Sequence, residues 1–114
     1  MDGVKFLSLC KRYYLNKRYP IKNGLLSVDN TDEIVQIAQA YFESNNEDDF
    51  AGFFMESQYL VNLWAAHLLL AFGKPSDNLY LMSLEIITRY SSTPLNEKLA
   101  VEEKEWLKRN NDAK

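Results

Sequence analysis

The hydrophobic pattern is centred on the stretch from Tyr59 to Gly73, YLVNLWAAHLLLAFG, which is the most apolar part of the chain. The stretch contains no charged residue, and its apolar side chains cover nearly every face of a helix. A helix that is apolar all round must be surrounded by other helices. The pattern therefore predicts a buried central helix over 59–72, with Ser57 as its N-cap and Gly73-Lys74-Pro75 as its stop signal.

Apolar positions at helical spacing predict a first helix from Gly3 to about Asn16. Its inner stripe is expected to contain Val4, Leu7, Cys10 or Lys11, and Tyr14, widened by Phe6, Leu9 and Tyr13. Tyr19-Pro20 ends the helix, because a residue before proline is pushed out of the α region. Residues 20–30 are expected to form a loop with a turn at Asn23-Gly24.

Two further helices are predicted before the central one. The first is predicted to begin with Asp29 or Asn30 as its N-cap. Its inner face is predicted to contain Ile34, Ile37 or Ala38, Tyr41 and Phe42. Ser44-Asn45-Asn46 interrupts it. Three acids then open a helix that carries Phe50, Phe53 and Phe54 and is expected to break from the central helix near Ser57.

Two helices are predicted after the central one. Ser76 is the expected N-cap of the first, whose inner stripe is Leu79, Met82, Ile86 and Tyr90. Thr93-Pro94 is expected to begin the second, with the cap first and proline at the next position. Its inner face is predicted to hold Leu95, Leu99, Trp106 and Leu107. Its solvent-exposed outer face is predicted to contain Glu97, Lys98, Glu102, Glu103, Lys104 and Glu105.

No segment has the pattern of a strand. The prediction is therefore one all-α domain over residues 1–114, with about six helices around the buried central helix. Serial helix pairs of this length pack as a small solenoid or as an irregular bundle.

Charge is distributed unevenly, although the net charge is only −3. Residues 1–22 carry six Lys and Arg side chains and one acid, whereas no Lys or Arg occurs from Asn23 to Gly73. Eight acids fall in that second segment: Asp29, Asp32, Glu33, Glu43, Glu47, Asp48, Asp49 and Glu56. Helix starts explain some of these acids, but they do not explain the lack of bases. A long segment of one sign attracts a basic partner.

Catalytic chemistry has little support in the sequence. His67 is the only histidine, and no acid or nucleophile accompanies it in the central helix, so it is predicted to pack against a carbonyl or Asn62. Cys10 is the only cysteine and is predicted to be a small core residue. One histidine and one cysteine exclude a structural zinc site, and the acids lack the spacing of a calcium loop. No catalytic residue, cofactor or metal is predicted.

The sequence also predicts a cytoplasmic location without a membrane partner. No apolar run approaches the roughly 18 residues of a membrane span. The N-terminus has an acid at Asp2 and too short an apolar run for a secretory signal. A single cysteine fits a reducing compartment.

Packing motifs in the C-terminal half carry a family resemblance. They are Leu-Trp-Ala-Ala at 63–66, Gly-Lys-Pro at 73–75 and Glu-Lys-x-Trp-Leu at 103–107. With these motifs the chain resembles a small bacterial family of HEAT/armadillo-like helical proteins, most of which have no known activity; residues 1–58 are outside the resemblance. Small acidic helical proteins of this kind are similar to immunity proteins of bacterial toxin systems, including contact-dependent growth inhibition.

The resemblance implies stoichiometric binding to the C-terminal domain of a cognate toxin, expected to be a basic nuclease. The electrostatic contacts are expected from Glu43, Glu47, Asp48, Asp49 and Glu56, then from Asp29, Asp32 and Glu33. Tyr41 or Tyr59 is the expected aromatic anchor. One alternative is a helical-repeat adaptor whose partner need not be basic. The other is a nucleic-acid-binding module that uses Lys11, Arg12, Lys17, Arg18 and Lys22 with the neighbouring tyrosines.

Overall fold

The computed structural model describes residues 2–112, and the side chains of residues 2–110. Within this part the chain forms six α-helices: α1 Gly3–Leu15, α2 Glu33–Glu43, α3 Glu47–Phe50, α4 Val61–Phe72, α5 Asp77–Ser91 and α6 Glu97–Asp112. Two 3-10 helices, Ala51–Met55 and Gln58–Leu60, lie between α3 and α4, and a small hairpin of β1 Ile21–Lys22 and β2 Leu25–Leu26 follows α1. The prediction of an all-α fold with about six helices is confirmed.

The core is built around α4, as its apolar pattern predicts. Every side chain from Val61 to Leu69 is buried. The helix packs against α1, α2, α5 and the 3-10 helix Ala51–Met55, while α6 packs on α5. Trp64 is the largest of the fully buried side chains. The arrangement is an irregular bundle with one connected core from Phe6 to Leu99.

The hairpin after α1 corrects the expectation of a strandless loop. Ile21 pairs with Leu26 across a turn in which Asn23 and Gly24 both adopt positive φ, 57° and 76°. Positive φ at both central residues is the geometry that Asn-Gly favours in a two-residue hairpin. A methyl group at Gly24 would lie 2.5 Å from the side chain of Arg109 on α6, so the turn also needs glycine for close approach. Asn23-Gly24 predicts the turn, but strands of two residues are too short to show the alternation of apolar and polar residues that predicts a strand.

The inner face of α1 is narrower than the predicted one. Its buried residues are Phe6, Leu9, Cys10 and Tyr13, all of which are among the residues predicted to face inward. Three other residues of the predicted inner face are exposed: 81% of Val4, 37% of Leu7 and 42% of Tyr14 is accessible. Both sets have helical spacing, so spacing alone does not show which set is buried.

Two helices begin later than predicted, because short polar side chains close a local turn first. The carboxylate of Asp29 accepts hydrogen bonds from the N–H and the hydroxyl of Thr31, at 2.8 and 2.6 Å, and α2 starts only at Glu33. Thr93 Oγ1 likewise accepts from the N–H of Leu95 at 3.3 Å, and α6 starts at Glu97. Such local turns compete with helix formation. Asp32 is the N-cap of α2, in place of the predicted Asp29 or Asn30. Asn96 caps α6 in place of the predicted Thr93.

Ser76 is the N-cap of α5, as predicted, and accepts from the N–H of Leu79 at 3.3 Å. The predicted break before the central helix is also present. It places Tyr59 (φ 54°) and Leu60 (φ 59°) in the left-handed region, and α4 begins at Val61 with Leu60, not Ser57, as its cap residue. Two consecutive bulky residues in that region cost about 1–2 kcal/mol each.

Candidate functional site

The basic residues near the N-terminus are partly neutralised by α2. Lys5 pairs with Glu33, and Arg18 Nη2 lies 3.1 Å from Asp32 Oδ1. The guanidinium of Arg18 also lies over the ring of Tyr13, 4.6 Å from its centroid. Arg18, one of the five bases that the nucleic-acid alternative uses, is therefore engaged within the protein.

Contacts within the protein account for three of the eight acids. Asp32 and Glu33 have basic partners, and Asp29 is held in its turn by Thr31, whose hydrogen bonds lower the pKa of that carboxyl. These acids stabilise the junction between α1 and α2. They are poor candidates for contact with a partner.

A second group of acids lies at the turn between α2 and α3. We name it the acidic turn; it comprises Glu43, Glu47, Asp48 and Asp49. None of the four forms an ion pair with a Lys or Arg side chain of the described residues; Glu47 Oε2 accepts only a 3.4 Å hydrogen bond from the N–H of Lys74. Glu43, Asp48 and Asp49 are exposed. The acidic turn is an uncompensated patch of negative charge.

Tyr41 lies beneath the acidic turn and is 8% exposed. Its ring packs edge-on against Phe50 and Phe53, with ring centroids 5.3 and 6.1 Å apart. Burial raises the pKa of the Tyr41 hydroxyl, and the negative charge of Asp49 adds to the shift. The structure therefore gives Tyr41 a packing role in place of the expected aromatic anchor.

Tyr59 is half-buried and separates two grooves. The groove on one side, about 310 Å³, is bordered by Leu7, Lys11 and Glu56 among others. The groove on the other side, about 370 Å³, is bordered by Tyr14 and Leu95 among others. The Tyr14 ring lies 5.7 Å from the Tyr59 ring, with the two rings edge to face.

We name the aromatic and leucine side chains that line this region, together with Glu56, the Tyr59 surface; it comprises Leu7, Tyr14, Glu56, Tyr59 and Leu95. Leu95 is 93% exposed, which corrects its placement on the inner face of the last helix. It precedes α6 and lies outside the helical stripe. Of the predicted contact residues, Glu56 and Tyr59 belong to this surface.

A buried pair of a histidine and a glutamate joins α4 to α6 and is not among the sites predicted from the sequence. His67 Nε2 lies 2.6 Å from Glu103 Oε1, and the two side chains are 1% and 0% exposed. The ring of Trp106 packs edge-on against His67 at a centroid distance of 4.7 Å. The sequence predicts Glu103 on the solvent-exposed face and His67 against a carbonyl or Asn62, and both predictions are wrong. Asn62 instead accepts a 2.8 Å hydrogen bond from the hydroxyl of Tyr90.

The sequence did contain a signal for this pair. Glu103 follows Leu99 by four residues and precedes Trp106 and Leu107 by three and four, so it falls on the apolar stripe of α6. An acid on such a stripe is buried and needs a partner.

A carboxylate that orients one imidazole nitrogen is part of the arrangement that activates a nucleophile. His67 borders a cleft of about 360 Å³, but no Ser, Thr or Cys is among the described residues that line it. Over residues 2–112 no group of three or more His, Cys, Asp or Glu is placed to hold a metal ion.

In the same part of the chain no helix has the length and apolarity needed to cross a bilayer.

Cys10 is a core residue, as expected, and burial raises the pKa of its thiol from 9.0 to about 12. The unfolded thiol loses its proton above pH 9 while the native thiol keeps its own, so the free energy of unfolding falls as pH rises from 9 towards 12. The expected loss between pH 8 and pH 10 is about 1.4 kcal/mol.

Urea unfolding of the wild type and of Cys10→Ala at pH 7, 8, 9 and 10 measures this effect. The variant is expected to be less stable than the wild type at every pH. Its free energy of unfolding is expected to lack the part of the fall between pH 8 and pH 10 that the thiol causes. Parallel pH profiles for the two proteins would contradict a buried thiol. The measurement stops at pH 10 because Tyr13, Tyr41 and Tyr90, whose pKa values burial also raises, contribute above it.

Comparison of the chain with protein-family models, with curated proteins and with solved structures found no match in any of the three. The resemblance to HEAT/armadillo-like and immunity proteins therefore stays a prediction.

Proposed function

We propose that the protein is a non-catalytic binding protein of the immunity type, which neutralises a basic toxin domain by covering it in a one-to-one complex. The observation that carries the proposal is the acidic turn. Its four carboxylates have no basic partner in the described residues, whereas Asp32 and Glu33 on the same α2 segment are paired. Exposed charge of one sign accelerates association with a partner of opposite charge.

The Tyr59 surface supports the proposal with an apolar contact region. Its residues Glu56 and Tyr59 follow the acidic turn along the chain, after the 3-10 helix Ala51–Met55, and Met55 at the end of that helix is 89% exposed. A few aromatic side chains commonly dominate the energy of a protein interface. The left-handed backbone of Tyr59 adds a second indication, because strain of this kind is concentrated at functional sites.

Tyr59→Ala is expected to weaken binding of the toxin domain by roughly 30-fold, since a central aromatic contact contributes about 2 kcal/mol or more. The matched control is Leu81→Ala, which removes an exposed apolar side chain (63% accessible) from α5. Titration calorimetry measures both dissociation constants, and urea unfolding shows that each variant is folded. Equal affinities for the two variants would exclude Tyr59 as an anchor.

The functional test takes the C-terminal domain of the protein encoded beside this gene as the candidate toxin and measures inhibition of its activity. With toxin at a concentration far above the dissociation constant, its activity is expected to fall linearly and to vanish at one equivalent of this protein. A partner that binds but keeps its activity would favour the adaptor alternative. Absence of binding would remove the proposed function altogether.

A further inference from the structure

A cleft of about 430 Å³ lies where the C-terminal end of α1, the hairpin and α6 meet. Its volume is within the roughly 300–1,000 Å³ range of small-molecule sites. Four basic side chains line it, Lys17 and Arg18 after α1, Lys22 on β1 and Lys98 on α6, and we name it the basic cleft after them. The basic cleft shares no residue with the acidic turn or the Tyr59 surface.

Three of these four bases have no carboxylate partner. Arg18 is paired with α2, whereas Lys17, Lys22 and Lys98 are exposed and form no ion pair with the described residues. Glu102 is the one acid among the described residues that line the cleft, and its carboxylate accepts a backbone N–H of the hairpin turn. Three separate elements thus bring like charges to one concave site, in a chain whose net charge is −3. An anion that contacts the three lysines offsets their repulsion.

The arrangement favours a small anion over a nucleic-acid strand. A strand needs a positive groove that follows its backbone over several nucleotides. Lys11 and Arg12 are not among the residues that line the basic cleft. Lys11 borders the groove beside Tyr59 instead, with its ammonium group 5.7 Å from the centroid of that ring.

We propose that the basic cleft binds a small phosphorylated molecule with two or more phosphate groups. Each phosphate group carries up to two negative charges and several acceptor oxygens, which match three ammonium groups better than a single carboxylate does. Tyr19 also lines the cleft, and contact of its ring with a base would distinguish a nucleotide from other phosphates. The site is separate from the proposed protein interface, so either can fail without the other.

Tripolyphosphate is the probe, titrated into the whole protein at about 0.05 M salt, where exposed charges are weakly screened. Saturable shifts are expected at the backbone amides of Lys17, Lys22 and Lys98 in the ¹H–¹⁵N spectrum. Lys22→Gln with Lys98→Gln is expected to weaken binding at least tenfold, since loss of one charged hydrogen bond already corresponds to about that factor. The matched control, Lys104→Gln with Lys108→Gln, makes the same change of charge at exposed positions of α6 outside the cleft. Equal losses in the two double variants, or shifts that do not saturate, would overturn the proposal.

A variant of Lys17 separates binding from stability. The N–H of Lys17 donates to the carbonyl of Tyr14 at 3.0 Å and that of Arg18 to Tyr13 at 2.8 Å, the two bonds of a Schellman motif. Lys17 takes the left-handed position of this motif, φ 56°, where glycine is the usual residue. Lys17→Gly is therefore expected to weaken tripolyphosphate several-fold while the midpoint of urea unfolding stays the same or rises. Unchanged affinity would overturn the contact with Lys17.

Three further ligands identify the source of the phosphates. Tighter binding of ATP than of tripolyphosphate, with shifts of the Tyr19 ring resonances, indicates a nucleotide, and equal affinities indicate a phosphate chain alone. Citrate, which has three carboxylates and no phosphate, is expected to bind more weakly, and equal affinity would overturn the preference for phosphate. A single-stranded oligonucleotide that binds more tightly than all of these, with shifts extending to Lys11 and Arg12, would overturn a small-molecule site.

Discussion

Replacing Glu103 by alanine is expected to lower the free energy of unfolding by about 3–5 kcal/mol. The reason is the buried partner: His67 would lose its only hydrogen bond shown within the described residues and stay enclosed at 1% exposure. Removal of one member of a buried pair leaves the other without compensation, which costs more than the pair itself contributes. Urea unfolding at pH 7 measures the change.

Glu102→Ala is the matched control on the same helix. The carboxylate of Glu102 accepts a 2.7 Å hydrogen bond from the N–H of Asn23 at an exposed position, so its loss is expected to cost about 1 kcal/mol. The double variant His67→Phe with Glu103→Leu is expected to recover most of the stability, because apolar replacement of a buried pair is often neutral. Equal losses for Glu103→Ala and Glu102→Ala would show that the buried pair has no special energetic role.

Reversing two charges of the acidic turn, Glu43→Lys with Asp48→Lys, is expected to weaken binding of a basic toxin domain on the order of 100-fold. Like charges brought together at an interface cost several kcal/mol, and 2.7 kcal/mol already corresponds to a factor of about 100. Much of the loss is expected in the association rate, which long-range attraction controls.

The control variant is Glu85→Lys with Glu97→Lys. It changes the net charge by the same amount and, like the test variant, places one reversal in the first turn of a helix and one on an exposed helical face. Stopped-flow association at low salt compares the two. If both double variants lose the same affinity relative to the wild type, the loss reflects net charge and the acidic turn is not the interface.

The sequence predicts elements best where one physical cause dominates. The helix α4 is apolar on nearly every face, so it can only be buried. Ser76 lies directly before α5, and its side chain caps that helix. Prediction fails where two causes compete locally. Asp29 and Thr93 close short turns with their own neighbours, and only the folded structure shows that the helices begin three or four residues later.

The candidate site was predictable in part for similar reasons. Charge counting finds the acidic turn, but it cannot separate Glu33, which pairs with Lys5 on α1, from Asp48, which has no such partner among the described residues. Pairing across the fold depends on tertiary contacts. Burial of Glu103 depends on the opposite side chain, His67, which is 36 residues away in sequence. The position of Glu103 on the apolar stripe of α6 predicts burial, whereas the general rule that acids face solvent predicts exposure.

The most direct test of the account is titration calorimetry of this protein with the proposed partner, the C-terminal domain of the protein encoded beside its gene, at about 0.05 M and 0.5 M salt. Exposed charges are screened beyond a Debye length, which shortens from roughly 14 to 4 Å over this range. The account predicts one-to-one binding that weakens at least tenfold at the higher salt concentration, with most of that dependence lost in Glu43→Lys with Asp48→Lys. Tight binding that salt leaves unchanged would contradict an interface formed by the acidic turn.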